Sequence, residues 1–181
     1  LSSNISTDLN YWYAIYTKPR AEKKVFERFC EYGYDAYLPL VTSVREWSDR
    51  KKKVTSPLIS GYVFVKINRE LLFDTLKVQG TLGVLRYLGK PAVIRDGEID
   101  NLKILIGGGA EVELLNSSVF VKGDLVDVVS GPFQGLRGVS IVVQGKQRIF
   151  VQVEAIDSQF VVNVPQAFVR KVVGESVLSE L

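Results

Sequence analysis

Three stretches of the sequence carry residue types and spacings that suit binding chemistry. Ser130–Gly138, SGPFQGLRG, has three glycines and a proline in nine positions, the composition of a loop able to wrap a phosphate. REWSDRKKK sets Arg45, Arg50, Lys51, Lys52 and Lys53 around Trp47. Cations of that kind track phosphates, and an indole among them can stack on a base. Tyr16, Tyr62, Phe64 and Tyr87 bring aromatic rings into runs that read as strands. A phosphate loop should pass from a strand through its glycines into a helix, whose first amides hold the anion. SGPFQGLRG lacks a G-K-[ST] ending and leads into GVSIVV, a β-branched run. It therefore predicts a turn between two strands, where glycine supplies positive φ and proline presets φ. Within that turn Phe133 has two open roles, a ring near the surface or a cap on the core.

Histidine is absent and Cys30 is the single cysteine. Ser-His-Asp and Cys-His arrangements are thereby excluded, as is a histidine acid or base near neutral pH. A structural zinc site would need carboxylates alone, which zinc seldom accepts. No carboxylate pair stands out by spacing. The expectation is a binding protein without cofactor or metal, and not an enzyme. One cysteine cannot form an internal disulfide and points to the reducing cytoplasm. No apolar run approaches the roughly 20 residues that span a bilayer, so no membrane partner is expected.

The elements that must position these residues fall into two halves. Residues 1–106 hold 17 Lys+Arg against 12 Asp+Glu, whereas residues 107–181 hold 6 against 8. GGGAEVELLNSS, residues 107–118, reads as a flexible linker at the break. In the first half WYAIYT is a strand, and Pro19 opens a helix to about Tyr32 with Val25, Phe26, Phe29 and Cys30 inward. DAYLPLV and GYVFVKI are strands, the latter with Tyr62, Phe64 and Lys66 on one face and Val63, Val65 and Ile67 on the other. Asn68 caps a helix through about Val78, VLRYL is a fourth strand, and Asp96 caps a helix to Ile106. Strand–helix–strand–strand–helix–strand is the ferredoxin-like order. After Leu125 the runs LVDVVS, GVSIVVQ, RIFVQVE, QFVVNV and AFVRKV follow at short spacing, the pattern of a small SH3-like barrel. The fold class predicted is α+β, a ferredoxin-like α/β sandwich followed by an SH3-like β-barrel.

GDLVDVVSGPFQGLRG resembles the KOW motif of transcription and ribosomal proteins. WYAIYTKPRAEKKV, YLPL, PLISGYVFVKI and YLGKPAVIRDGEI together resemble the amino-terminal (NGN) domain of NusG-type transcription elongation factors. The resemblance covers about residues 11–173 and implies domains at 11–106 and 119–173. REWSDRKKK is more similar to the operon-specific antiterminators of the RfaH and UpxY kind.

If Tyr16 and Tyr87 share the face of Tyr62 and Phe64, four rings line one side of the sheet. Core packing is the ordinary fate of such rings. Here Val63, Val65 and Ile67 already supply a core row, so the alternate row is expected to stand open as a binding surface. The resemblance implies that this face receives the RNA polymerase clamp. The resemblance implies that a second basic patch, Lys18, Arg20, Lys24 and Arg28, meets non-template or upstream DNA, with nascent RNA a further partner of the chain; the alternative for the patch is ordinary helix-surface pairing with Glu22, Glu27 and Glu31. For Arg45, Trp47 and Arg50–Lys53 the alternative is a solvated hairpin that discourages edge pairing. The resemblance further implies that Gly131, Pro132, Phe133 and Gly135 bind a second protein, a ribosomal protein or a termination factor. The chain is expected to be a monomer. A rival reading uses the same rings: SGYVFVKI nearly fits the RNP1 pattern, whose aromatics stack single-stranded RNA. Ser60 stands where that pattern wants a basic residue and Val63 where it wants a small one.

Overall fold

The computed structural model describes residues 9–47, 50–108, 113–115, 123–143, 146–153 and 158–172, with the side chains of 44–47, 50–52, 113–115, 142–143, 146–147 and 153 outside that description. It divides into two compact units, Leu1–Asp96 and Gly97–Leu181.

In the first unit aromatic and β-branched residues form β1 (Asn10–Thr17), β2 (Asp35–Tyr37), β5 (Tyr62–Asn68) and β6 (Thr81–Val84). They make one antiparallel sheet in the order β2-β5-β1-β6. Helix α1 (Glu22–Glu31) connects β1 to β2 and buries Val25 and Phe29. These join Tyr13, Ile15, Val63, Val65 and Ile67 in one apolar cluster, so the alternation read along GYVFVKI places its valine row in the core. The helix starts after Pro19 because Arg20 takes φ 62, outside helical space. Pro19 and Arg20 instead fill the centre of a turn closed by the Ala21 amide on the Lys18 carbonyl at 3.0 Å.

Between β2 and β5 the chain runs out and back as a two-stranded ribbon, β3 (Leu40–Trp47) and β4 (Arg50–Pro57). The helix expected from Asn68 to Val78 is a short 3-10 segment, Leu72–Lys77. Two local side-chain bonds account for this. Asn68 Oδ1 accepts from the Glu70 amide at 2.9 Å, and Thr75 Oγ1 donates back to the Leu72 carbonyl at 2.6 Å. Such bonds compete with the i to i+4 ladder. The fourth strand also differs from VLRYL. β6 ends at Val84, and Arg86–Tyr87 (β7) pairs with Lys90–Pro91 (β8) as a separate small hairpin.

Helix α2 (Asp96–Gly107) starts on the last residue of the first unit and belongs from Gly97 on to the second, in which Ile99, Leu102 and Leu105 are fully buried. The second unit's sheet has the order β14-β10-β11-β12-β13-β9, all pairs antiparallel: β9 (Glu113–Leu115), β10 (Asp124–Val128), β11 (Arg137–Val143), β12 (Lys146–Val153), β13 (Ser158–Asn163) and β14 (Val169–Lys171). The sequence reading grouped α2 with the first half. In the structure Asn101 holds the backbone of Arg137 from both sides, accepting from its amide at 3.2 Å and donating to its carbonyl at 3.1 Å. β9 falls inside the stretch read as linker, and the rest of 109–122 lies outside the described residues.

The glycines of SGPFQGLRG divide their work. Gly131 and Gly135 take φ 84 and 91, the left-handed backbone that a turn of this kind requires. Gly138 is already in β11, where a Cβ would collide with the Phe150 carbonyl of the neighbouring strand. Gly138→Ala is therefore expected to lower stability by about 1–3 kcal/mol through overpacking. Gly131→Ala and Gly135→Ala should cost about 1–2 kcal/mol each from backbone strain. Urea unfolding midpoints check this, and a neutral Gly138→Ala would show that the two strands do not approach so closely.

Candidate functional site

Register decides which rings share a face. Ala14 lies opposite Phe64, Tyr16 opposite Tyr62, and Trp12 opposite Lys66, so these six residues occupy the sheet face away from the α1 core. Tyr16 and Tyr62 meet with ring centroids 4.7 Å apart, tilted by 39°. Tyr16 is 37% exposed and Tyr62 half-buried. Lys66 lies 5.9 Å over the Trp12 ring and pairs with Asp96 at 2.7 Å, closing the other end of the face.

Two of the rings differ from expectation. Phe64 is fully buried, its ring 6.4 Å from the half-buried Tyr37 and nearly parallel to it. It sits on a central strand, hydrogen-bonded to β2 on one side and to β1 on the other. Tyr87 is 71% exposed, but it stands on the β7–β8 hairpin and not in the four-stranded sheet. The open aromatic face is thus the Tyr16–Tyr62 pair, with Tyr87 separate and Phe64 beneath the surface.

Burial raises the Tyr62 phenol far above its ordinary value, helped by the hydrogen bond with Tyr16 and that ring's charge. Burial alone pushes Tyr37 up to about 12. A phenol whose folded pKa is raised contributes stability that is complete below the unfolded value, about 10, and is lost as pH climbs through the folded one. The unfolded chain sheds its phenolic protons first. The urea midpoint should accordingly fall between pH 10 and 12, less steeply for Tyr37→Phe than for the parent chain. Parallel curves would show that Tyr37 is not shielded.

The cations form two groups. Lys18 and Arg20 are exposed in the turn between β1 and α1, and Lys24 is exposed on α1. A non-glycine residue at the φ of Arg20 costs about 1–3 kcal/mol, and such strain gathers at functional sites. Arg28 is only half-exposed, because its Nη1 donates to the Gln79 carbonyl at 2.6 Å and ties α1 to the chain before β6. Lys23, not singled out from the sequence, donates to the Thr55 carbonyl of the ribbon at 2.7 Å. Buried Glu22 was also missed; its Oε1 accepts from the Gly61 amide at 2.9 Å, fixing the start of α1 beside Tyr62. Ladder register on the ribbon sets Arg45 opposite Lys52 and Trp47 opposite Arg50. The side chains of Arg45, Trp47, Arg50, Lys51 and Lys52 lie outside the described residues, whereas Lys53 is exposed.

In the second unit Gly131, Pro132 and Gly135 are exposed at the turn. Phe133 is buried, and its ring comes so near Gly108 that a Cβ there would stand 2.5 Å from it. Of its two roles, the structure therefore shows the packed one. Beside the turn lies an open groove of about 580 Å³ lined by Asp127, Gln134, Arg137 and Arg170 among others. Arg137 Nε donates to Asp127 at 2.8 Å, and that hydrogen bond holds the Asp127 carboxyl below its usual range.

A family model described as "Transcription termination factor nusG" matches residues 10–103, more than half of the chain. The chain belongs to the NusG family. Curated NusG relatives support the assignment along most of its length. "Transcription termination/antitermination protein NusG" of Rickettsia conorii is 25% identical over 163 residues, covering 83% of this chain and 84% of the relative. The protein of the same name from Rickettsia felis is 25% identical over 158 residues, covering 81% and 82%. Among solved structures, "Domain interaction in Thermotoga maritima NusG" is 24% identical with a TM-score of 0.47, covering 90% of this chain and 97% of that one. "Crystal Structure of MjSpt4:Spt5 complex conformation B" is 20% identical with a TM-score of 0.32, covering 89% and 96%. By family the chain is a NusG-type transcription termination/antitermination factor. Among the described residues no helix is long and apolar enough to cross a membrane.

Proposed function

We propose that this NusG-family chain acts as an elongation and antitermination factor that docks on the RNA polymerase clamp through Tyr16, Tyr62 and Tyr87. The observation that carries the reading is the Tyr16–Tyr62 pair, open on a sheet face whose opposite side already holds the α1 core. Rings left exposed on a surface of that kind are the residues that dominate protein interfaces. Phe64, fully buried beside Tyr37, makes no contact of its own with the partner. Docking holds the clamp closed on nucleic acid and disfavours pausing.

Lys18, Arg20 and Lys24, with the β3–β4 ribbon, then face upstream or non-template DNA, and nascent RNA where it emerges. The basic ribbon is the feature shared with operon-specific members, and it supports a specialised role. The first domain, 11–106, is read as a ferredoxin-like sandwich and 119–173 as an SH3-like KOW barrel. The exposed turn at Gly131, Pro132 and Gly135 recruits a ribosomal protein or termination factor, whose local concentration the tether raises. The chain works as a cytoplasmic monomer without a cofactor. Single-stranded RNA recognition by RNP1-like stacking is disfavoured, because the fully buried Phe64 presents no face to a base.

A paused-transcription assay with purified core polymerase tests the proposal. The chain should shorten pauses, and Tyr16→Ala with Tyr87→Ala should abolish the effect without altering circular dichroism. Pausing that the chain leaves unchanged would refute the elongation role.

A further inference from the structure

The β7–β8 hairpin is closed by Leu88 and Gly89, since Tyr87 pairs with Lys90 and leaves two residues between. Their φ values are 48 and 77, both positive, as a type I′ turn requires. That turn favours Asn-Gly or Asp-Gly, and a leucine at its first position holds its Cβ against the backbone. Leu88 is nevertheless 84% exposed, so its side chain returns nothing to the fold in packing. Tyr87, its neighbour, is 71% exposed. A large apolar side chain kept at a strained, solvent-facing tip is unfavourable for folding alone, and strain of this sort marks a site whose return lies elsewhere. Arg86 and Lys90, both exposed, flank the tip with positive charge.

We propose that Leu88 is an anchor of the polymerase interface, entering with Tyr87 an apolar pocket whose rim carries carboxylates that meet Arg86 and Lys90. The inference rests on the polymerase-docking reading and adds to it the chemistry of the pocket.

Two substitutions separate binding from folding. Leu88→Asn and Leu88→Gly both suit the turn better than leucine, so in the full chain the thermal midpoint should hold or rise. Affinity for core polymerase should nonetheless fall by about tenfold or more, the scale of a truncated anchor. Arg86→Glu with Lys90→Glu should slow association and reverse its salt dependence. Failure to bind polymerase by the parent chain itself would end the docking reading. Parent-like binding by Leu88→Asn, with the parent chain bound, would overturn the Leu88 assignment alone. So would a lowered midpoint, which would make Leu88 structural. A self-association or an anionic-vesicle binding of the parent chain that Leu88→Asn removes, with polymerase affinity unchanged, would assign the tip to those occupants instead.

Discussion

Phe64→Ala is expected to destabilise the first unit by about 3–5 kcal/mol, the usual cost of emptying a buried phenylalanine site. Against a domain stability of about 5–15 kcal/mol this removes a large share of the folded state. The ring is fully buried against Tyr37, on a strand bonded on both sides. Loss of polymerase binding in this variant would therefore report unfolding and not a lost contact. Phe64→Leu distinguishes the two, because a smaller apolar replacement should keep most of the stability and all of the docking. Were Phe64→Ala to melt like the parent chain while losing affinity, Phe64 would be a contact residue after all.

Neutralising Arg50, Lys51, Lys52 and Lys53 together has the second large expected effect. Each phosphate contact releases counterions, so removing four cations should reduce the slope of log affinity against log salt by about 3 on DNA. Binding to non-template strand at low salt should fall steeply, and docking on polymerase should survive. The variant keeps Trp47, so the readout isolates the four cations from stacking on an indole. An unchanged salt slope would return the ribbon to the role of a solvated hairpin. Register sets Arg45 opposite Lys52 and Glu46 opposite Lys51, so the ladder pairs both like and unlike charges along the ribbon.

Much of the fold was legible in hydrophobic period. The row Val63, Val65 and Ile67, and the helical spacing of Val25, Phe26 and Phe29, place one core correctly because period alone sets which face each element turns inward, whereas Cys30, read as inward with them, is exposed. The strand runs after Leu125 were equally readable. Phe64 was not, because alternation tells which side of a strand a ring takes but not whether that side is covered. Tyr87 was misplaced for a different reason. Leu85 still donates to the Ala14 carbonyl, and only then does the chain leave the sheet, at a Leu-Gly turn that sequence signals do not mark. Side-chain bonds over long separations, such as Glu22 to Gly61 and Asn101 to Arg137, leave no trace in local pattern. The turn at Ser130–Gly138 could be read from glycine chemistry, whereas the burial of Phe133 needed the neighbouring Gly108.

Equilibrium binding of the nuclease-treated chain to core RNA polymerase, measured beside binding to free single-stranded RNA, tests the central claim most directly. Docking through the Tyr16–Tyr62 face predicts saturable binding to polymerase that Tyr16→Ala with Tyr87→Ala removes and the ribbon variant retains. Free RNA should bind weakly and without dependence on those rings. Tight RNA binding that requires Tyr16 and Tyr62, with no affinity for polymerase, would contradict it.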